Sequence, residues 1–227
     1  MTAPATPAAP ADHQPSQGAL RDFLGLLGYA GLGSFALLAR DAARAPEIRT
    51  QLVFSRMAAG ELAEIDYVEQ LVMEHGGAFD QLLATYQDLL NDFMLRAVPR
   101  DWWERLMRSY VGYNLLQDLL RTLAEGLPAA LRERTEASVG KSGHDDYVAA
   151  LLAPVLAAEP QLASRLGLWG RRVVGESLTL VQRLFQEHPA LVELTGGEGE
   201  PAARISHLVG QLQAEHSRRL QRLGLNA

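Results

Sequence analysis

Apolar residues recur at every third or fourth position along most of the chain, the spacing that places them on one face of an α-helix. Proline, glycine and N-cap residues mark where each periodic segment begins and ends. Strand signals are absent from the pattern. The sequence therefore predicts an all-α fold. The predicted helices cover about 18–43, Pro46 to Gly76–Gly77, 79–97, Asp101 to Gly126, Pro128 to Pro154 (which kinks or ends its helix), 160–187 and 201–223.

The order of these helices predicts the architecture. Four of them are long, and the shorter segment at 79–97 bridges the second and the next long one. That order predicts a four-helix bundle with one long crossover and additional C-terminal helices. The first 17 residues, 1–17, are rich in Ala and Pro and lack periodicity, so we expect a disordered tail before a single helical domain at 18–227.

Ionisable residues interrupt two of the apolar faces. Glu61 and Glu64 interrupt the second predicted helix, and Lys141 and His144 interrupt the fifth. A spacing of three residues places both members of each pair on one helix face. Because a charge in a core is costly unless it is paired or bound to a metal, the pattern predicts a buried polar site.

Each of these four residues also has a simpler interpretation. Glu61 and Glu64 are ordinary surface carboxylates if the apolar face of their helix is rotated toward solvent. Lys141 then extends along a helix edge to reach water, and His144 is a hydrogen-bonded core histidine. The pattern alone leaves both interpretations open.

Two further positions lie in the middle of apolar faces. The first helix carries Gly25, Gly28, Gly31 and Gly33, and each glycine costs a helix about 1 kcal/mol relative to alanine. We expect them to let another helix approach closely, with Gly31 leaving a hole in mid-face. Tyr113 occupies the middle of the fourth predicted helix, either as part of the site or as a core tyrosine whose hydroxyl is satisfied locally.

Composition narrows the range of functions. A formal charge of −6 argues against a general nucleic-acid binder, because phosphate contacts need a surplus of Lys and Arg. The absence of cysteine excludes disulfides, thiolate catalysis and Cys-ligated zinc. We expect no segment to reach the roughly 20 apolar residues that span a bilayer, and the start of the chain lacks a signal-peptide pattern. A soluble, cytoplasmic protein is therefore expected.

Four motifs carry a resemblance to a known family. They are 56–64 (RMAAGELAE), 109–113 (SYVGY), 143–148 (GHDDYV) and 168–176 (LWGRRVVGE). Over roughly 20–223 the chain resembles ferritin-like proteins related to the tRNA hydroxylases that oxidise an isopentenyl side chain on adenosine beside the anticodon. The resemblance implies a ferritin-like bundle and a di-iron site with a carboxylate from each of two helices and Glu-x-x-His from each of the others.

The chain departs from the ligand pattern that the resemblance implies. Of the ligand positions, only Glu61 and His144 match. The positions that differ are Gly31 in place of a carboxylate, Glu64 in place of His, Tyr113 (with Gly112 as an equal match) in place of Glu or Asp, and Lys141 in place of an acid.

These departures favour a metal-free, non-catalytic protein. A protonated amine cannot ligate iron, so Lys141 is predicted to take the place of the missing cation and to neutralise Glu61 or Glu64. Tyr113 is predicted to donate a hydrogen bond into the same cluster. No cofactor is expected, and the protein would act by binding or by assembly, with a homodimer as one form.

Two alternatives stay open. One is an oxygen-dependent hydroxylase with an altered Fe or Mn centre at Glu61, Glu64 and His144, acting on tRNA. The other is a helical bundle that binds a small molecule in the space left at Gly31.

Overall fold

The structure, a computed structural model, describes residues 14–74, 77–139, 142–197 and 199–225. Within those ranges the chain forms nine α-helices, one 3₁₀ turn and no strand, so the predicted all-α fold is confirmed. The helices are α1 (Gln17–Ala42), α2 (Ile48–Glu74), α3 (Phe79–Ala84), α4 (Gln87–Arg96), α5 (Trp102–Ala124), α6 (Ala129–Ser138), α7 (His144–Ala158), α8 (Pro160–Glu187) and α9 (Pro201–Arg222), with the 3₁₀ turn at Pro189–Thr195.

The four longest helices form two pairs. α1 packs along α2, and α5 packs along α8. α3 and α4 connect α2 to α5 and pack against α1 and α8, respectively. The predicted crossover is therefore present, although a turn at Thr85 and Tyr86 divides the single helix expected at 79–97 into two.

Glycines in α1 let the crossover approach closely. A Cβ atom at Gly25 would lie 2.7 Å from Cε2 of Tyr86, and one at Gly28 would lie 2.8 Å from Cε2 of Phe79. Real Cβ atoms do not approach carbon that closely, so any side chain at these two positions would force the crossover side chains to shift. The predicted role of these glycines is confirmed.

The core consists of two apolar clusters with a more polar layer between them. One cluster contains Phe23 and Leu119, and the other contains Phe54 and Leu106. α1, α2, α5 and α8 contribute residues to both clusters. Where they pass between the clusters they carry small or polar residues, namely Gly31, Ser34, Glu61, Glu64, Tyr113, Asn114 and Ser177. The candidate site lies in this layer.

A side-chain cap fixes the start of α5. The Asp101 carboxylate accepts a hydrogen bond from the backbone N–H of Glu104 at 2.8 Å, as the sequence predicts. Glu104 reaches back in turn, and its Oε2 accepts from the N–H of Arg100 at 2.9 Å, one residue before the N-cap N–H that a capping box uses. Arg165 of α8 donates to Oε1 of Glu104 at 3.0 Å, so this cap also ties the long pair together.

The prediction of one helix from Pro128 to Pro154 is wrong. α6 ends at Ser138, Gly143 has a φ of 65°, in the left-handed region that interrupts a right-handed helix, and α7 begins only at His144. The predicted three-residue spacing from Lys141 along one helix therefore does not determine the position of the His144 side chain. Pro154 lies inside α7 without ending it, since the carbonyl it leaves unpaired belongs to exposed Ala150, which water can satisfy.

The start of α1 differs from two expectations. Helix begins at Gln17, capped by the Ser16 hydroxyl, so the expected tail is at least one residue shorter; residues 1–13 lie outside the described ranges. α1 is also long and apolar enough to cross a membrane, with a mean hydropathy of 1.5 over 18 residues, so the expectation that no segment qualifies was wrong. Half of that window is buried in the protein, as in an ordinary core helix, and the cytoplasmic location stays a prediction.

Candidate functional site

Side chains from three separate segments meet in the layer between the two apolar clusters. The Tyr113 hydroxyl on α5 donates a hydrogen bond to Oε1 of Glu61 on α2, with 2.7 Å between the oxygens. The same hydroxyl lies 3.1 Å from Oγ of Ser142, which precedes α7. The predicted hydrogen bond from Tyr113 into the Glu61 cluster is present.

His144 packs against the other side of Tyr113. The two ring centroids are 4.6 Å apart, and the Phe54 ring is 6.1 Å away. Only 1% of the His144 surface is exposed, and neither ring nitrogen has a hydrogen-bond partner among the described residues. Burial lowers the pKa of His144 to about 4, against a smaller opposing effect of Asp145, so the imidazole is neutral at pH 7.

Burial also shifts the titration of the bonded pair. It raises the pKa of the Glu61 carboxyl, with the Tyr113 hydrogen bond acting against this and the Glu64 charge adding to it. Burial and the neighbouring Glu61 carboxylate raise the pKa of the Tyr113 hydroxyl, which therefore keeps its proton as a donor. The cluster thus holds one carboxylate through a neutral phenol, with no cation among the residues that touch it in the described ranges.

Glu61 and Glu64 are half-buried, which corrects the predicted core face of α2. The fully buried residues lie mostly one position away, at Thr50, Phe54, Ala58, Ile65, Val68 and Val72. One residue corresponds to about 100° around a helix, so the predicted face is turned away from the tight core. It borders a cavity instead, and neither the core nor the surface interpretation describes it fully.

The cavity beside Glu61, which we call the Glu61 cavity, has a volume of about 500 Å³. Its walls come from α1, α2, α5 and the segments flanking α6 and α7. Leu27, Val53, Met57, Ile65, Val68, Leu120 and Val139 supply apolar surface, and Glu61, Glu64, Gln117 and Ser142 supply polar groups. Exposed Arg56 and Gly60 place its opening at the surface.

Gly31 borders this cavity, as the small-molecule alternative expects. The space predicted at Gly31 is partly filled by Ile65, because a Cβ atom on Gly31 would lie only 3.1 Å from Cγ1 of Ile65. Lys141 lies outside the described residues, so its predicted role as a cation in the cluster stays a prediction.

Sequence reasoning missed Gln117 and Ser142. Gln117 lies one helical turn after Tyr113 on the same face of α5, borders the cavity, and keeps a buried Oε1 without a partner among the described residues. That spacing was a usable signal. Ser142 had none, because its position depends on the break between α6 and α7.

Comparison with known families identifies the fold. The family described as "Ferritin-like domain, actinomycetes" matches residues 16–198. The chain belongs to this ferritin-like family. The predicted ferritin-like bundle is therefore confirmed, whereas the closer relation to the tRNA hydroxylases stays a prediction. Comparison with curated proteins gave no match.

The residues present do not fit the di-iron centre that a ferritin-like bundle can hold. Such a centre needs carboxylates from two helices and Glu-x-x-His from two more. Here α1 offers Gly31 and α5 offers Tyr113, whose hydroxyl is already bonded to Glu61. In the part of the chain that the structure describes, no three His, Asp or Glu side chains group closely enough to hold a metal ion. His144 is neutral and its ring nitrogens have no partner among the described residues, the state that a metal ligand requires, but one imidazole does not make such a centre.

Proposed function

We propose that this ferritin-like protein is a non-catalytic binding module that holds a small, largely apolar organic molecule in the Glu61 cavity. The observation that carries the proposal is the cavity itself, about 500 Å³ of mainly apolar space beside a buried polar cluster. Small-molecule sites in proteins have this size and composition, with a few polar groups that orient the ligand.

The polar groups favour a ligand with a hydrogen-bond donor. Glu61 presents carboxylate oxygens, only one of which accepts from Tyr113. Gln117 adds an amide to the same wall, and its buried oxygen accepts nothing from the described residues. An N–H or O–H group on the ligand would satisfy such acceptors, whereas a purely apolar ligand would leave them unpaired.

Tyr113 occupies the role that a metal would have beside Glu61. Its hydroxyl stabilises the carboxylate without adding positive charge, so Glu61 needs no ion to remain in the bundle. We expect the protein to bind its ligand through the apolar walls, with Glu61 as the orienting group.

Indole and 1-methylindole test this proposal, because 1-methylindole carries a methyl group in place of the N–H donor of indole. We expect indole to bind with one site per chain in calorimetric titrations, and 1-methylindole to bind at least about tenfold more weakly. Val53→Trp, on the cavity wall, should abolish indole binding. Ala36→Trp is the matched control, since Ala36 borders a different cavity on α1. Equal affinity of the Val53→Trp protein and the wild type for indole would reject the proposal.

A hydroxylase with an altered Fe or Mn centre, acting on tRNA, is the second candidate. It is favoured by one observation, the buried His144 ring with both nitrogens unpartnered among the described residues. It predicts bound metal and oxygen-dependent turnover, both lost in Glu61→Ala. Absence of turnover in protein reconstituted with iron or manganese would reject it.

Assembly is a separate part of the proposal. We propose a homodimer in the cytoplasm, and sedimentation velocity at several protein concentrations tests the association. A mass that stays at one chain, 24.8 kDa, across the concentration range would reject the dimer.

A further inference from the structure

A second cavity lies on the opposite side of α1 from the Glu61 cavity. It is enclosed by α1, α4, α5 and α8 and has a volume of about 170 Å³. Its walls are mainly apolar, with Leu32, Leu37, Leu90, Phe93, Met94 and Leu180 among them. Exposed Leu32, Arg40 and Asn91 mark its opening at the surface. We call it the Arg108 cavity after the buried charge on its wall.

Arg108 is buried with few of its hydrogen bonds made. Its side chain is 4% exposed, yet it borders the cavity. Nη1 donates to the carbonyl of Ala97 at a long 3.4 Å, and Nη2 lies 4.0 Å from Oδ1 of Asp41. Nε has no partner among the described residues. A guanidinium carries five N–H donors, so this one retains capacity for an acceptor.

The charges around Arg108 leave an excess of positive charge. Asp41 is fully buried and bonds Arg105 at 2.9 Å, closer than it approaches Arg108. Arg40 adds a third guanidinium at the cavity opening, and no Asp or Glu borders the cavity in the described ranges. Burial lowers the pKa of Arg108 to about 10, which leaves the group charged at pH 7.

We propose that the Arg108 cavity binds an amphipathic monocarboxylate, with the carboxylate on the Arg108 guanidinium and a medium-length alkyl chain against the apolar walls. A carboxylate matches the planar guanidinium through two parallel N–H···O bonds, which a neutral or cationic head group cannot form. The ligand carboxylate would also compensate the positive charge of Arg108, which Asp41 compensates only in part because it also pairs with Arg105. Each methylene in contact with the walls strengthens binding by about fourfold, and the volume of about 170 Å³ limits the chain to medium length.

Calorimetric titration with octanoate, set against 1-octanol, separates the contribution of the charge from that of the chain. We expect one octanoate per chain and an affinity for 1-octanol at least about tenfold weaker. Arg108→Gln should lose octanoate binding by a similar factor. Arg121→Gln, which removes an exposed guanidinium from the same helix, is the matched control and should bind octanoate like the wild type.

A second variant keeps the test valid if Arg108→Gln does not fold. Ala36→Trp fills the wall without altering the charged residues and should abolish octanoate binding, whereas Val53→Trp in the Glu61 cavity should leave it unchanged. Equal affinities for octanoate and 1-octanol, or full octanoate affinity in Ala36→Trp, would overturn the proposal. Loss of octanoate binding in Val53→Trp would also overturn it, because the ligand would then occupy the other cavity.

Discussion

The cavities on the two sides of α1 bury charge in opposite ways. On one side the Glu61 cavity holds a half-buried carboxylate whose partner is the neutral Tyr113 hydroxyl. On the other side the Arg108 cavity holds a fully buried guanidinium that shares the single carboxylate of Asp41 with Arg105. Tyr113 lies between them, because its ring also borders the Arg108 cavity.

The difference shows that the partner a buried charge needs depends on how completely the charge is removed from water. Glu61 keeps contact with a cavity that opens to solvent, so its burial is partial and one good hydrogen bond is enough. Arg108 also borders a cavity, but its side chain is only 4% exposed and that of Asp41 is fully buried, so their mutual attraction must offset two larger desolvation costs. The Arg108 side should therefore tolerate loss of a partner far less well than the Glu61 side.

Removal of the Asp41 carboxylate is the strongest challenge to this comparison. Asp41→Ala leaves two guanidinium groups without their carboxylate and should lower the free energy of unfolding by about 3–5 kcal/mol. Urea denaturation measures the change. Asp92→Ala is the control, because Asp92 pairs with Arg183 at the exposed surface and little or no loss is expected. Similar losses in both variants would contradict the proposed difference in burial.

Titration of His144 sharpens the description of the Glu61 side. The folded pKa is about 4 against an ordinary value of 6.5, so between these pH values the unfolded chain binds a proton that the folded chain does not. The free energy of unfolding should therefore fall as the pH falls, by about 2 kcal/mol between pH 7 and pH 5 from this residue.

His144→Phe should remove that part of the pH dependence, measured by denaturation at a series of pH values. His216, which burial also keeps at a pKa of about 4, supplies a remaining slope of the same sign. His207→Phe is an exposed control and should leave the profile unchanged. An unaltered profile in His144→Phe would mean that this ring is not held neutral.

Tyr113→Phe tests the bond that joins the two sides. It removes the only hydroxyl among the described residues that donates to Glu61, so we expect a loss of about 1–3 kcal/mol in stability. The pKa of Glu61 should rise further, as followed by NMR titration of the carboxyl carbon. Tyr147→Phe is the control, since its hydroxyl bonds the neutral Thr50 at 3.2 Å and the pKa of Glu61 should not respond.

Alanine substitutions at two glycines of α1 test how much space lies on each side, and each adds only one methyl group. A methyl group at Gly33, on the Arg108 side, meets Leu90 at an ordinary 3.5 Å, so Gly33→Ala should stabilise the protein by up to about 1 kcal/mol. At Gly31 the methyl group would lie 3.1 Å from Ile65, which must shift, so Gly31→Ala should gain less or lose stability. The reverse order in thermal denaturation would contradict the packing described here.

The sequence predicted the bundle, its crossover and the meeting of Glu61 with Tyr113. These succeed because helical periodicity and caps such as Asp101 act locally, and because both site residues lie in the middle of long helices. The break at Gly143 was not predicted, since a left-handed glycine between two periodic segments does not disturb the apolar pattern.

The Arg108 cavity was not predicted for a different reason. In sequence, Arg105 and Arg108 look like part of the solvated face of a helix, at a spacing of three residues. Their environment comes from Asp41 at the end of α1 and Ala97 after α4, which the tertiary fold brings to them. Burial that depends on such distant segments leaves no periodic signal along the chain.

The metal content of natively purified protein tests the central claim most directly. If Tyr113 and the Glu61 cavity replace a metal centre with an organic ligand site, elemental analysis of protein prepared without chelators should find iron and manganese far below one atom per chain. About one or two atoms of either metal per chain, the content of an occupied carboxylate centre, would contradict the account.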